Sequence, residues 1–410
     1  MLVLSLINKF SREKTMNTIF HNVFKKKPWQ VNWFIPELEH RKYEKAFRID
    51  TDYSEKVNLY FGDLHKHSSL SPCADVGIWN GSPDDCYNYA KSRMQTDFLA
   101  LTDHAEKISE EQWKNSMLTA ERASETGKFI AWPAVEWAPS LYGHRNIYFS
   151  SYKNPLISGN IIVSPPQLWN YLRTRKISAL TIPHHTAREL LCDLTRTDDE
   201  FEPAFEIFSG WGNEEYYGAP LQDTDHSFTR NFAIDTLMRG FRMGFVAGGD
   251  GHPAPPANSG ITGIYAHDLS LPSLFEALSA RRTIATTGAK IKLDLHVNGF
   301  PVGSTVFFNQ HQIEKLFPLE IGVSAEGTDN IEKIEIIENG CTVYTKTKVR
   351  ALMNQMSFRW FRQAGPDDGS KVIGSAKLFN ISRFIYARLT QRDGHMAWTS
   401  PIWLNFYYEE

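Results

Sequence analysis

Short apolar runs that lead into imidazole or carboxylate side chains recur along the middle of this chain. This recurrence constrains the fold more than any other sequence feature. The first run, Val57–Phe61, leads into Asp63, His65 and His67. The later runs lead into Asp103 and His104, into Glu136 with His144 nearby, into His184 and His185, and into Asp250 and His252. In barrel-like α/β folds reactive groups lie where strands end, so we predict that these side chains converge on one site.

The alternation of apolar runs with helical patterns predicts an α/β fold. Helix starts are indicated by Ser82-Pro83 and by the capping-box sequence that opens at Ser109. After Gly288 the pattern changes to period two with Asn-Gly and Asp-Gly turns, which is typical of a β-sandwich. At 410 residues the chain exceeds the usual size of one core. We predict an N-terminal extension at 1–56, an α/β domain at 57–289 and a smaller β-sandwich at 290–410.

The residue types at the predicted site favour transition metals. Alternate residues of a strand project on the same side, so His65 and His67 can bind one cation together. Several imidazoles combined with carboxylates suit Mn²⁺, Zn²⁺ or Fe²⁺ better than Ca²⁺ or Mg²⁺, which prefer oxygen ligands. Glu136 is the predicted bridge, because its two oxygens can each bind one ion. Two ions about 3.5–4 Å apart polarise a phosphoryl oxygen and activate water, so the cluster predicts hydrolysis of a phosphate ester.

Four stretches resemble the motifs of the PHP (polymerase and histidinol phosphatase) superfamily. They are Gly62–Ser68, Leu101–His104, Val135–Trp137 and Gly249–His252. Four others resemble a branch of that superfamily catalogued as a domain of unknown function: Gly143–Phe149, Ile182–His185, Arg281–Gly288 and Val297–Gly299. The resemblance is strong over residues 57–300. It implies a distorted (βα)7 TIM-like PHP barrel, a trinuclear metal site and metal-dependent phosphoesterase chemistry.

The resemblance also implies a set of metal ligands, carried over residue by residue. The first ion would be held by His65, His67, Glu136 and Asp250, and the second by Glu136, His144 and His184. We prefer His184 to His185, because Pro183-His184 best matches the strand-end position of the family. A third ion would use His104, His252 and a residue of the loop after His67, where Asp75 is preferred to Cys73. Without that last ligand the centre is dinuclear, so we predict two to three divalent ions, with Asp250, His252 and Glu136 as catalytic residues.

Other residues are candidates for substrate binding or for support of the ligands. Arg145 adjoins a predicted ligand, and Arg282 is a second guanidinium suited to bidentate contact with phosphate. Trp137 and Trp211 lie beside strand ends, where they either stack on a substrate or pack in the core. Glu206 lies in a strand-like run and is predicted to accept a hydrogen bond from a ligand imidazole.

Composition narrows the substrate and the compartment. The net charge of −3 argues against a polymeric nucleic acid and favours a small-molecule or nucleotide phosphate ester. The four cysteines are widely spaced, so neither a disulfide framework nor a zinc knuckle is indicated. No apolar stretch reaches the roughly 20 residues that a membrane helix needs. We expect a cytoplasmic protein that does not enter a membrane, and an oligomer is compatible with the sequence.

Two other functions remain open at this point. Amidohydrolases, which cleave amides or lactones, also begin with a His-x-His pair and end with a strand-end Asp. Their barrels commonly bridge two metals through a modified lysine, and no lysine follows an apolar run at the matching position here. A non-catalytic scaffold, in which the metal site only stabilises the fold, is the third hypothesis.

Overall fold

The fold is taken from a computed structural model. It describes residues 57–71, 81–188, 192, 194–225, 230–251, 255–257, 259–309, 317–347, 353–363 and 381–407. The predicted N-terminal extension at 1–56 and the predicted ligands Asp75, Cys73 and His252 lie outside the described residues.

Strands dominate the described part of the chain. They are β1 Asn58–Lys66, β2 Phe98–Leu101, β3 Ile130–Trp137, β4 Arg145–Phe149, β5 Ala179–Pro183, β6 Ala204–Ser209, β7 Gly212–Asn213, β8 Gly244–Ala247, β9 Ile261–Ala266, β10 Thr283–Thr286, β11 Lys292–Val297, β12 Phe300–Pro301, β13 Thr305–Asn309, β14 Leu319–Glu326, β15 Ile331–Glu338, β16 Cys341–Thr347, β17 Gln355–Arg362, β18 Ile381–Gln391, β19 Met396–Thr399 and β20 Ile402–Tyr407.

The helices are few and short. They are α1 Pro83–Tyr89, which a π-helical turn at Ala90–Met94 extends, α2 Glu110–Ala123, α3 Pro165–Arg175, α4 Ala233–Met238 and α5 Leu271–Ser279. Helix α2 begins with the predicted capping box, in which Ser109 Oγ accepts from Gln112 N at 3.2 Å and Gln112 Oε1 accepts from Ser109 N at 2.8 Å. None of the described helices is both long and apolar enough to span a bilayer.

The strands of the first half surround a central apolar cluster and pack against further apolar clusters on their other faces. Strands β1, β2 and β3 are parallel, whereas β4 and β5 continue the same sheet in antiparallel order. Strand β6 pairs in parallel with β8 in a separate small sheet. The core draws on most of these strands, including Leu64, Phe98, Trp132, Leu180 and Val246. A parallel bridge between Lys66 and Gly251 joins the end of β1 to the segment after β8.

The second half contains two sheets packed face to face. One is a four-stranded sheet in the order β12-β11-β14-β17, and the other contains β15, β16, β18 and β20. Leu295 and Val323 of the first sheet share a buried cluster with Ile334, Ile385 and Leu404 of the second. Such a shared apolar layer is how two sheets stabilise each other in a sandwich.

The structure confirms a mixed α/β protein, but the order of its helices and strands is less regular than the sequence pattern predicts. The antiparallel β4 and β5, together with the low helix content of the described residues, depart from a regular alternation of one helix per parallel strand. Strand β10 pairs with β19, so one sheet crosses the predicted boundary at 289–290. The (βα)7 barrel and the domain boundaries therefore stay predictions.

Candidate metal centre

The His-x-His pair lies at the end of β1. The strand runs through Lys66, so His65 is within it and His67 follows directly. Strand alternation directs both imidazoles to the same side, whereas Lys66 Nζ donates to the backbone carbonyl of Gly251. His65 Nε2 and His67 Nε2 each lie 3.3 Å from Asp250 Oδ1. These two ring nitrogens and one carboxylate oxygen form the first part of the cluster.

Glu136, at the end of β3, lies at the centre of the cluster. Its Oε1 is 2.7 Å from His144 Nδ1 and 3.1 Å from His184 Nε2. Its Oε2 is 3.2 Å from His67 Nε2 and 3.4 Å from His104 Nδ1. His65 Nε2 lies 3.8 Å from Oε2 as well. The two carboxylate oxygens thus face different imidazoles, as the predicted bridging role requires.

Asp250 closes the cluster from the segment after β8. Its N–H donates to His65 O at 2.7 Å, and its backbone has a positive φ of 43°. Its Oδ2 lies 2.6 Å from Nε2 of His185, which also has a positive φ, of 53°. The segment after β8 passes close to β1. A Cβ at Gly248 would come within 2.4 Å of His65 Cβ, so only glycine fits there.

Neighbouring polar groups orient the imidazoles. His65 Nδ1 pairs with Glu206 Oε2 at 2.9 Å, as predicted for Glu206, and His67 Nδ1 with Ser71 Oγ at 3.2 Å. In both rings the contact at Nδ1 leaves Nε2 to face the carboxylates. Histidines that bind a metal through one ring nitrogen commonly make such a hydrogen bond through the other. Buried Asp63 accepts from the N–H groups of Gly249 at 2.8 Å and His65 at 2.9 Å, which fixes the two chain segments together.

The electrostatics keep both central carboxylates ionised. Burial by itself raises the pKa of Glu136, but the surrounding imidazoles, including hydrogen bonds with His144 and His184, outweigh burial and hold this pKa well below its usual range. Burial is likewise outweighed at Asp250, where the charges of His65 and His185 hold the pKa well below its usual range. Two ionised carboxylates in the protein interior create a strong preference for bound positive charge.

The pKa values of two buried histidines, His67 and His184, shift in opposite directions. Burial lowers the pKa of His67, yet its interactions with Asp250 and Glu136 raise this pKa to about 9. For His184, burial and the neighbouring charge of His65 hold the pKa well below its usual value. The interior therefore favours a neutral His184, which is the form that binds metals.

The donor atoms fit a metal centre. His65 Nε2 and Glu136 Oε2 are buried atoms that make no well-aligned hydrogen bond within the described residues. Buried polar atoms without such partners are costly unless another group satisfies them. Four sets of three residues each offer ligand atoms within 4.8 Å of one another: His65, His67 and Asp250; His65, Glu136 and His184; His67, His104 and Glu136; His184, His185 and Asp250. Nitrogen and carboxylate donors of this kind suit Mn²⁺, Zn²⁺ or Fe²⁺.

The two predicted phosphate-binding arginines do not lie at the cluster. Arg145 is fully buried, where its Nε donates to Glu202 and its Nη1 contacts Cys192 Sγ at 3.2 Å. Arg282 donates to Glu276 and, through Nε, to Tyr265 O at 3.2 Å. Tyr265 pairs with Leu59, six residues before His65 on β1, which corresponds to roughly 20 Å along a strand. Both guanidiniums pair with carboxylates outside the cluster.

Residues that border the cluster include some that the sequence did not single out. Arg188 Nη1 donates to Asp223 Oδ2 at 2.7 Å, and its guanidinium lies 4.8 Å from the ring centre of Trp211. The Trp211 ring is 5.8 Å from that of His185 and is 41% exposed. Trp137, by contrast, is buried, and its Nε1 donates to Ile162 O at 2.8 Å. Of the two tryptophans, Trp211 borders the centre and Trp137 packs in the core.

Comparison with known proteins gives a partial match. Residues 91–189 match the family model described as protein of unknown function DUF3604. That stretch contains His104, Glu136, His144, His184 and His185. The chain is 27% identical over 381 residues to an uncharacterized protein of Chlamydia pneumoniae and 25% identical over 385 residues to one of Chlamydia trachomatis serovar D. Each match covers 85% of this chain, which spans only 57–58% of the length of these relatives.

Two solved structures are distantly similar. One is a two-domain protein from Bacteroides vulgatus that contains a predicted PHP-like metal-dependent phosphoesterase, with 14% identity, a TM-score of 0.40 and coverage of 80% of this chain and 90% of that one. The other is PsfC from Pseudomonas syringae, with 13% identity, a TM-score of 0.36 and coverage of 50% and 82%.

Proposed function

We propose that this protein is a metal-dependent phosphoesterase of the PHP type, built on a distorted (βα)7 TIM-like barrel. Its substrate would be a phosphomonoester or phosphodiester of a small molecule or nucleotide. The observation that carries the proposal is Glu136, whose two oxygens face five imidazoles in the protein interior. A buried carboxylate placed in this way is suited to join two cations.

The described residues divide naturally between two ions. One ion would be held by His65, His67 and Asp250, and the other would be held by His144 and His184. Glu136 would bind both ions. A third ion would use His104 with the predicted ligands His252 and Asp75. Bound Mn²⁺, Zn²⁺ or Fe²⁺ ions would supply the positive charge that polarises a phosphoryl oxygen and lowers the pKa of water.

The exposed side of the cluster indicates where a substrate approaches. The side chains of His104, His144 and His185 are 17%, 19% and 12% exposed, whereas those of His65 and His67 are inaccessible. A phosphate ester would therefore reach the centre from the side of the first three. His185 Nε2 lies within hydrogen-bond distance of Asp250 Oδ2, so this pair can hold or pass one proton beside the reacting group.

The rim formed by Arg188 and Trp211 replaces Arg145 and Arg282 as our proposed substrate contact. Arg188 places a guanidinium against the Trp211 ring, which in turn contacts His185. Guanidinium groups bind phosphate oxygens, and an aromatic ring stacks on a flat leaving group. This rim therefore suits an aryl or nucleotide phosphate ester. The predicted compartment of the protein is the cytoplasm.

The test begins with metal analysis of the purified protein, followed by a substrate panel with the metal that it contains. The panel includes an aryl phosphate, a bis-aryl phosphate, a nucleotide, an amide and a lactone. We expect two to three transition metals per chain and turnover of phosphate esters. Turnover of the amide or lactone alone would instead support an amidohydrolase. If the protein shows no turnover and removal of the metal lowers its thermal stability, the result would support a non-catalytic scaffold.

Substitutions in the cluster test the same proposal. His67→Ala and Asp250→Ala remove one nitrogen and one carboxylate ligand, so both should abolish metal binding and turnover. His296→Ala is the matched control, because His296 lies on β11 with a partly exposed side chain beside Asp294. Turnover like that of the wild type in either cluster variant would refute the assignment.

A further inference from the structure

The segment that follows the two adjacent histidines is fixed by a buried carboxylate. Thr186 comes directly after His185, and its N–H donates to Glu214 Oε2 at 2.9 Å. Its Oγ1 lies 2.8 Å from Glu214 Oε2 and 2.8 Å from Asn231 O, so the hydroxyl is shared between these two acceptors. Thr186 is fully buried and Glu214 nearly so. This carboxylate therefore sets the position of the backbone that leaves His185.

The next residue along the chain makes a different set of contacts. Glu215 is fully buried, and its carboxylate accepts from Tyr386 OH at 2.7 Å, from Arg388 Nη1 at 2.9 Å and from Trp398 Nε1 at 2.8 Å. These three donors belong to β18 and β19 of the C-terminal half. Glu215 thus binds the C-terminal strands as Glu214 binds the histidine segment.

The backbone of this glutamate pair is itself anchored. Glu214 N donates to Ile207 O at 2.8 Å, which fixes it to β6. At the start of α4, Ala233 N donates to Glu214 O at 2.9 Å and Ile234 N to Glu215 O at 3.1 Å. The contacts of Glu215 with β18 and β19 therefore add to the restraints on the backbone that also carries Glu214.

The backbone of His185 depends on such support. Its φ of 53° lies in the left-handed region, which residues with a Cβ rarely adopt. In this conformation its Nε2 is 2.6 Å from Asp250 Oδ2. Unfavourable backbone conformations persist only where the surrounding structure holds them.

We propose that Glu214 and Glu215 form a positioning pair through which β18 and β19 hold His185 against Asp250. The C-terminal strands then act on the metal centre without contributing a ligand. The inference rests on the metal centre of the proposed function, and it assigns that centre a support that begins in the C-terminal half. Groups that orient metal ligands commonly change metal affinity when they are removed.

The first test is at the histidine end. Thr186→Val removes the hydroxyl donor at nearly constant volume, and Thr186→Ser keeps it. Calorimetric titration of the metal-stripped full chain with Mn²⁺ should show about 10-fold weaker binding for Thr186→Val, as is typical for groups behind metal ligands. Thr186→Ser should bind like the wild type.

The second test is at the distant end. The double variant Tyr386→Phe, Trp398→Phe removes two donors to Glu215 while it keeps aromatic rings in the core. Trp403→Phe is its control, because Trp403 is buried in the same apolar cluster and lies beyond the contacts of Glu215. Thermal unfolding in a chelator measures the stability of each variant separately from its Mn²⁺ affinity. We expect the double variant to bind Mn²⁺ more weakly and the control to lose stability only.

The outcomes separate this inference from the proposed function. If the wild type binds no transition metal, both fail. If the wild type binds Mn²⁺ and Thr186→Val binds it equally well, only the positioning role fails. An equal loss of affinity in Trp403→Phe would also overturn it, because the effect would then follow general stability. Unchanged Mn²⁺ affinity in the double variant would overturn the link to β18 and β19. Should the double variant fail to fold, Tyr386→Phe alone, which removes one donor to Glu215, takes its place.

Discussion

The strands around the metal centre and those of the C-terminal half bury their side chains differently. Every residue of β2, β3, β4 and β5 is buried, so both faces of these strands are covered. Strands β11 and β14 instead alternate between buried and more exposed residues. Both faces of these strands pack against apolar clusters. On β3, Glu136 follows Trp132 and Ala134 on the same face, so the centre lies at the end of an apolar layer.

Buried carboxylates in the two regions also have different partners. Glu338 of β15 faces guanidiniums, with Arg383 Nη1 2.7 Å from its Oε1. Glu136 faces only imidazoles among its described neighbours within ion-pair distance. A guanidinium is always charged, whereas an imidazole is a metal ligand in its neutral form. In the C-terminal half, arginine side chains therefore supply the positive charge that balances Glu338. Around Glu136 the imidazoles can be neutral, so bound metal ions are suited to supply the balancing charge.

The largest expected effect comes from removing the two carboxylates in turn. Glu136→Ala should abolish binding of the bridged ions and lower phosphoesterase turnover by more than about 100-fold, since loss of a ligand exceeds the effect of losing its support. Glu338→Ala should destabilise the fold by roughly 3–5 kcal/mol, because Arg383 then loses that carboxylate. Metal analysis, turnover and chemical unfolding of both variants check the contrast.

The comparison would break if the two variants behaved alike. Retained metal and turnover in Glu136→Ala would show that the carboxylate is structural. A loss of bound metal in Glu338→Ala at a temperature where the protein stays folded would show that the two halves are not electrostatically independent.

The cluster itself was largely predictable from the sequence. Local patterns are short-range, so the end of β1 at His65 and His67 and the capping box at Ser109 follow from neighbouring residues. The predicted ligands within the described residues come together because each lies at or near the end of a strand. The Glu206 contact with His65 was predictable for the same reason, as a polar residue within an apolar run.

Contacts between distant segments were not predictable in this way. Arg145 was expected to face phosphate, but it adjoins His144 on a strand, so its side chain points to the opposite side and pairs with Glu202. Nothing local to Glu215 indicates that Arg388 and Trp398 bind it, since the interacting residues are far apart in the chain. The left-handed backbone of His185 likewise depends on tertiary contacts.

An intermediate effect is expected from the support of His65. Glu206→Leu removes the acceptor of its Nδ1–H from a buried site, so metal affinity should fall by about 10- to 100-fold. Glu206→Gln is the control, because its amide oxygen can still accept that hydrogen bond. Metal titration of both variants measures the difference. Equal losses in the two variants would show that the charge of Glu206, not its orientation of the ring, is what matters.

The smallest effect on turnover is expected from the sheet that lies away from Glu215. Leu295 of β11 is fully buried in the apolar layer between the two C-terminal sheets. Leu295→Ala should lower the free energy of unfolding by about 2–5 kcal/mol through the lost contacts and the remaining cavity. Metal affinity and turnover of the folded protein should stay unchanged, because β11 makes none of the contacts that we assign to Glu215. Parallel losses of stability and metal affinity would instead mean that the whole C-terminal half, and not β18 and β19 in particular, supports the centre.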